Sequence, residues 1–183
     1  VVMPLESEID RPVTHRHTAR VVLTGPDARV LLFEDSDPSA PGSPTFWITP
    51  GGGVEPDESL LAAAAREVAE ETGLHVGAAD LRGPAAERTV VHGYSDHIAV
   101  QTETFFVAAT PEVEVDPARW TDEELRTVIG YRWWSLDELR HTDRPVWPVG
   151  LADLVAAVDV PGVWPVPLGV AEESTVHTDH STR

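Results

Sequence analysis

Residues 52–74 read GGVEPDESLLAAAAREVAEETGL, and three of their carboxylates crowd together in a way that needs explaining. On a helix turning ~100° per residue, Glu67, Glu70 and Glu71 fall within a ~100° arc. Like charges at these spacings cost roughly 0.2–0.5 kcal/mol per pair on an exposed helix. At the negative end of the helix dipole each anion loses a further ~0.3–1 kcal/mol. Arg66, four residues before Glu70, offsets part of this. A cluster that opposes its own helix calls for positive charge from elsewhere, and hard divalent cations such as magnesium or manganese favour carboxylate oxygens. The chain has no cysteine, so any metal is held by oxygen or imidazole. The competing reading is a solvated acidic face, or a structural calcium-binding one. The loop in front favours chemistry: Pro50, Gly51, Gly52 and Gly53 let backbone approach a ligand closely and aim amides at phosphate oxygens.

The elements that must carry this segment follow from pattern and punctuation. Residues 19–23 and 29–33 are β-branched apolar runs joined by Thr24-Gly25-Pro26-Asp27, which reads as a hairpin. Residues 34–44 form a loop by their proline, serine and aspartate content, and residues 46–48 a short strand. The spacing predicts a helix over 58–72, closed by Gly73, with Leu61, Ala65, Val68 and Ala69 packed on the sheet. Residues 88–91, 98–109 and 130–134 read as further strands, and residues 120–126 as an acidic loop or helical turn. Ser135 to Glu138 has capping-box spacing, so a short helix starts there, and residues 147–158 are apolar at helical spacing. Strands and helices mix without strict βαβ alternation, which implies an α+β chain with a mixed sheet and helices on its faces. The expected organisation is an N-terminal segment at 1–17, one domain at 18–160 and a mobile, proline-bearing acidic tail at 161–183.

The helix segment matches G-x5-E-x7-R-E-U-x-E-E-x-G-U, with U aliphatic, at Gly52, Glu58, Arg66, Glu67, Val68, Glu70, Glu71, Gly73 and Leu74. The invariant positions would coincide by chance on the order of once in 10⁸ placements. On these residues the chain resembles the Nudix hydrolase family, with looser similarity from about residue 20 through residues 133–139. The resemblance implies a Nudix fold, an α/β/α sandwich around a mixed β-sheet. It implies that Glu67, Glu70 and Glu71 hold Mg2+ (Mn2+ as substitute) with a carbonyl of Gly51 or Gly52. It implies that Arg66 orients a glutamate and that Glu58 supports. The expected reaction is attack of water on the diphosphate of a nucleoside diphosphate linked to X, X spanning the triphosphate, ADP-ribose and nucleotide-sugar classes. Glu67 is the first candidate for the base, and Glu124, beside Glu123, the second. The family's marks for ADP-ribose or dinucleoside polyphosphate preference are absent from residues 89–91.

Around this centre, Gly52, Gly53, Trp47, Arg88 and Tyr94 are candidate substrate contacts, with His92 and Glu103 as further pocket candidates. A lone acid in a strand more often faces solvent, and Trp133 or Trp134 more often belongs to the core. His15, His17, His177 and His180 read as incidental. The net charge of −18, with arginine as the only basic residue type among thirteen, disfavours polymeric nucleic acid and leaves a small phosphorylated nucleotide-like substrate as partner. No run is long enough to span a membrane, so the expected location is cytoplasmic, and a homodimer is compatible with the family. A non-catalytic nucleotide sensor is the alternative, although such domains usually lose the glutamates kept here. The Nudix-fold isomerase of isopentenyl diphosphate needs a cysteine, and this chain has none.

Overall fold

The computed structural model describes residues 11–40, 42, 44–111, 114–122, 124–176 and 178. In chain order the elements are β1 (Val13–Thr24), β2 (Val30–Asp35), β3 (Phe46–Ile48), β4 (Gly51–Gly53), α1 (Leu60–Thr72), β5 (Arg82–Gly93), β6 (Ile98–Ala109), α2 (Glu124–Thr127), β7 (Val128–Trp134), α3 (Leu136–His141), β8 (Val146–Trp147), α4 (Leu151–Ala156) and β9 (Val166–Glu172).

β1 and β6 run parallel from Val13↔Ile98 to Thr24↔Ala109, and this ladder is the spine of the sheet. The order across it is β8-β3-β2-β1-β6-β5-β9, with β4 added on β1 and β7 on β2. Antiparallel β5–β6 and β2–β7 pairs beside parallel β3–β8 and β5–β9 pairs make the sheet mixed. Period-two alternation then divides the apolar residues between two faces. Val21, Leu31, Phe33, Phe106 and Trp133 share a core with Ala63, Ala64 and Val68 of α1. Val22, Leu32, Phe105 and Trp134 point the other way and pack with Leu139 of α3 and Leu151 and Leu154 of α4. The expected α/β/α sandwich is therefore present, and both Trp133 and Trp134 are core.

α1 starts two residues later than expected, because Ser59 caps it: its hydroxyl accepts from the Ala62 N–H. Gly73 ends it in the left-handed region at φ 78°. The buried stripe is Ala64, Val68 and Thr72 with Ala63, while Leu61 is exposed. That differs from the expected face of Leu61, Ala65, Val68 and Ala69, and the difference matters. Around the axis Glu71 lies ~60° and Glu67 ~100° from Val68, whereas Glu70 lies ~160° away. Two of the three carboxylates thus sit on the rim of the packed face.

Three further boundaries differ from the sequence expectation. β1 begins at Val13, not residue 19: residues 13–17 have exposed side chains, so apolar pattern did not mark them, yet their backbone pairs with β6. Residues 1–10 lie outside the described residues. The helix expected at 147–158 is cut to Leu151–Ala156, since Trp147 joins β8 and Gly150, at φ 88°, precedes the first turn. The segment expected to be a mobile tail contains β9, which pairs in parallel with β5. Its prolines and outward side chains hid it, Val170 being 81% exposed.

Candidate active site

Each of the three glycines before α1 meets that helix differently. β4 lies antiparallel to β1 with Arg20↔Gly51, Ala19↔Gly52 and Thr18↔Gly53. Gly51 has φ +130°, and a Cβ there would stand 2.2 Å from the Ala19 carbonyl oxygen, so no side chain fits. Its N–H donates to Glu71 Oε2 at 2.8 Å. A Cβ on Gly52 would lie 2.6 Å from the carboxylate carbon of Glu67. Gly53 receives Arg66 Nη2 on its carbonyl at 2.9 Å. The loop is a cradle shaped to the glutamates.

Arg66 organises the carboxylates. Its Nε and Nη2 reach Glu58 Oε1 and Oε2, both at 3.0 Å. Its Nη1 reaches Glu67 Oε1 at 2.8 Å and Glu70 Oε2 at 3.1 Å. Hydrogen bonds to Glu58 above all hold the guanidinium charged, and the same contact pulls the Glu58 carboxyl below its ordinary value. Burial pushes the Glu67 carboxyl up in spite of Arg66. Burial, then the charge of Glu67, pushes Glu71 well up, and Glu124 is close enough to add to that push while the Gly51 N–H opposes it. Glu70 is the open member, its side chain 45% exposed.

Glu124, at the start of α2, uses Oε2 to accept from the backbone and hydroxyl of Thr121. It is thus brought near Glu71 but is engaged in a local turn. Glu123 lies outside the described residues. Trp120, which sequence reasoning passed over, donates its indole N–H to the Glu71 carbonyl at 2.7 Å and fixes the last turn of α1.

The remaining candidates separate. Trp47 packs in the core under α3 and α4, edge-on to Trp134 at 5.0 Å, so it is a core residue where a substrate contact was expected. Tyr94 is half-buried beside the α1-side core and stacked on His97 at 4.8 Å. Burial first, with Asp35 and Glu103 adding to it, takes its phenol up to about 12. Arg88 is buried and bound by two carboxylates: Nε to Glu103 Oε2 at 2.7 Å, and Nη1 and Nη2 to Glu173 at 2.6 and 2.7 Å. Glu103 is 1% exposed, which reverses the expected solvent-facing acid. Burial resists its charge, but Arg20, His92 and Arg88 prevail and hold its carboxyl well below the ordinary range. Arg20, also missed, links Glu103 at 3.2 Å to the Gly51 carbonyl at 2.8 Å. His92 is buried with Nδ1 2.8 Å from the Glu173 carbonyl. His15 and His17 are exposed on β1, and His177 and His180 lie outside the described residues.

Among the described residues, no three acidic or imidazole groups already converge as a metal site. Arg66 accounts for this by drawing Glu67 and Glu70 onto its own Nη1. The donor set nevertheless suits a hard divalent ion. It offers oxygen donors only, and the space beside Gly52 that a Cβ would fill is taken by the Glu67 carboxylate. Glu67, Glu70 and Glu71 are the groups able to hold such an ion once Arg66 relaxes its grip on Glu67 and Glu70.

An RNA pyrophosphohydrolase of Caulobacter vibrioides is 44% identical over 68 residues, covering 37% of each chain. An m7GpppN-mRNA hydrolase of Bos taurus is 45% identical over 56 residues, 31% of this chain and 18% of that one. The chain therefore spans well under half the length of these relatives. The fold is similar to that of the MutT protein from Methanosarcina mazei Go1, with a TM-score of 0.52 at 23% identity, covering 82% of this chain and 96% of that one. The model of the NUDIX domain matches residues 14–155, most of the sandwich with the glycine cradle and its glutamate helix, and the chain belongs to that family.

Proposed function

We propose that the protein is a metal-dependent pyrophosphohydrolase that splits the diphosphate of a nucleoside diphosphate linked to X. The observation that carries this is the fit of Glu67 against the bare α-carbon of Gly52, with Gly51 tied to Glu71. Glu67, Glu70 and Glu71, with the carbonyl of Gly51 or Gly52, are the groups to hold Mg2+, and Mn2+ suits the same oxygens. When bound, the ion neutralises charge on the diphosphate and on the transferring phosphoryl group.

The chain's own residues do the rest. Arg66 sets the resting positions of Glu67 and Glu70, and its bonds to Glu58 and the Gly53 carbonyl keep it beside them when it releases them to the ion. Glu67, whose carboxyl burial raises above its ordinary value, takes the proton from the attacking water. Glu124 is the second choice for this role, because its Oε2 is occupied by Thr121. Tyr94 keeps its phenolic proton and is a donor for a substrate oxygen.

Names of the relatives extend X to the 5′ end of an RNA, whereas a net charge of −18 disfavours a long polyanion. The reading therefore stays with small nucleotides. The test is a panel of nucleoside triphosphates, ADP-ribose, nucleotide sugars, dinucleoside polyphosphates and a short 5′-triphosphorylated RNA, with magnesium or manganese. Release of a monophosphate product from one of the small substrates is expected. Preference for the RNA would reject the small-substrate assignment, and inertness toward the whole panel would reject hydrolysis.

A further inference from the structure

Arg20, Arg88, Glu103 and Glu173 form a buried chain on the sheet, and the last member comes from outside the matched domain. Glu173 lies eighteen positions past residue 155, where the family match ends. Its side chain is 1% exposed and that of Arg88 2%. Glu173 Oε1 accepts from Arg88 Nη1 at 2.6 Å and from the Val149 N–H at 2.7 Å, and Oε2 accepts from Nη2 at 2.7 Å. Two guanidinium groups thus balance two carboxylates. Without Glu173 the cluster holds one surplus buried positive charge, which low-dielectric surroundings do not tolerate unpaired. A planar fork that binds a carboxylate by two parallel bonds binds a phosphate equally well. His92 Nε2 adds a buried polar atom with no hydrogen-bond partner, 4.0 Å from Glu103.

The segment carrying Glu173 follows an edge strand and is held on β5 and on the residues around it by hydrogen bonds. β9 pairs with β5 alone, with Val166 and Leu168 packed against the core and Pro167, Val170 and Glu172 exposed. Beyond it, the N–H groups of Glu173, Thr175 and Val176 bond to the carbonyls of Val91 and Gly93, and the Thr175 hydroxyl donates to Asp37 at 2.7 Å. From Arg88 the hydrogen bonds run on through Glu103 and Arg20 to the Gly51 carbonyl, at the edge of the catalytic cradle.

We propose that Arg88 and the Val149 N–H form an oxyanion site, which Glu173 fills as a built-in plug and which takes a non-reacting phosphate of the substrate when residues 172–176 lift. The substrate part of this rests on the hydrolase reading above. The chemistry is exchange of one oxyanion for another at a fixed fork, with no bond made or broken covalently.

The test uses the full chain in chelator, with inorganic phosphate as probe and chloride at equal ionic strength as control. In the wild type, phosphate should speed amide exchange at Glu173, Thr175 and Val176 by about tenfold and leave α1 unchanged. In Glu173→Ala, phosphate should raise the melting temperature by more than it does in the wild type. Unchanged exchange in the wild type overturns the proposal, and so does equal stabilisation of the two proteins. If Glu173→Ala does not fold in chloride, the wild-type exchange result alone decides. Neither readout needs a divalent ion or turnover, so this proposal and the hydrolase reading can fail separately.

Discussion

The carboxylate of Glu67 lies where a side chain at position 52 would begin: a Cβ on Gly52 would come within 2.6 Å of it. The glycine therefore serves Glu67 more than the turn. Gly52→Ala should displace that carboxylate, the movable partner, and lower kcat/KM by roughly 10–100-fold through weaker metal binding, with little change in melting temperature. Gly53 has nothing within 4 Å of its missing Cβ, so Gly53→Ala should stay within about threefold of wild type. Parallel steady-state assays at one fixed, subsaturating metal concentration decide it. Equal effects from the two substitutions would refute the cradle.

Acid and base limbs of the stability curve should have separate owners. The folded Glu71 and Glu67 carboxyls are raised above 4.5, so their stabilisation is full below that value and is lost as pH rises through the raised ones. Glu103 is depressed, so its stabilisation is full above 4.5 and is lost as pH falls through its folded value. Denaturant midpoints in chelator should therefore decline toward neutrality in the wild type and decline less in Glu71→Gln. A steeper neutral decline in Glu71→Gln would show the sign to be wrong.

Removing Glu103 should cost most where its carboxylate is charged. Glu103→Gln leaves Arg20 and Arg88 each short of charge in a buried cluster and should cost about 3–5 kcal/mol in urea denaturation. A loss below about 1 kcal/mol would mean that the cluster is solvated.

Trp47 separates packing from recognition. Its ring is 8% exposed and sits edge-on to Trp134. Trp47→Phe should lower stability by about 1–3 kcal/mol and leave KM within about twofold. A large KM change with unaltered stability would return Trp47 to the substrate site.

What the sequence displayed follows the range of the interactions. The glutamate helix, its Gly73 cap and the Ser135–Glu138 capping box are local patterns with fixed spacing, and each was legible. The buried cluster was not, because its members are 83 and 85 residues apart along the chain. One signal was available: Glu103 shares strand parity with Phe105 and Val107, and Arg20 with Val22, all on one apolar face. An acid and a base on the same face of two neighbouring apolar strands mark a buried pair more readily than two solvent-facing charges. β9 had no such signal, since few of its side chains are covered.

Calorimetric titration of magnesium into wild type and Glu70→Gln tests the central claim most directly, because Glu70 is exposed enough for the fold to survive its loss. Wild type should take up the ion, and the variant should bind it at least about tenfold more weakly while keeping its melting temperature. Absence of uptake by the wild type, with or without a diphosphate ligand, would contradict the account, as would equal binding by the two proteins.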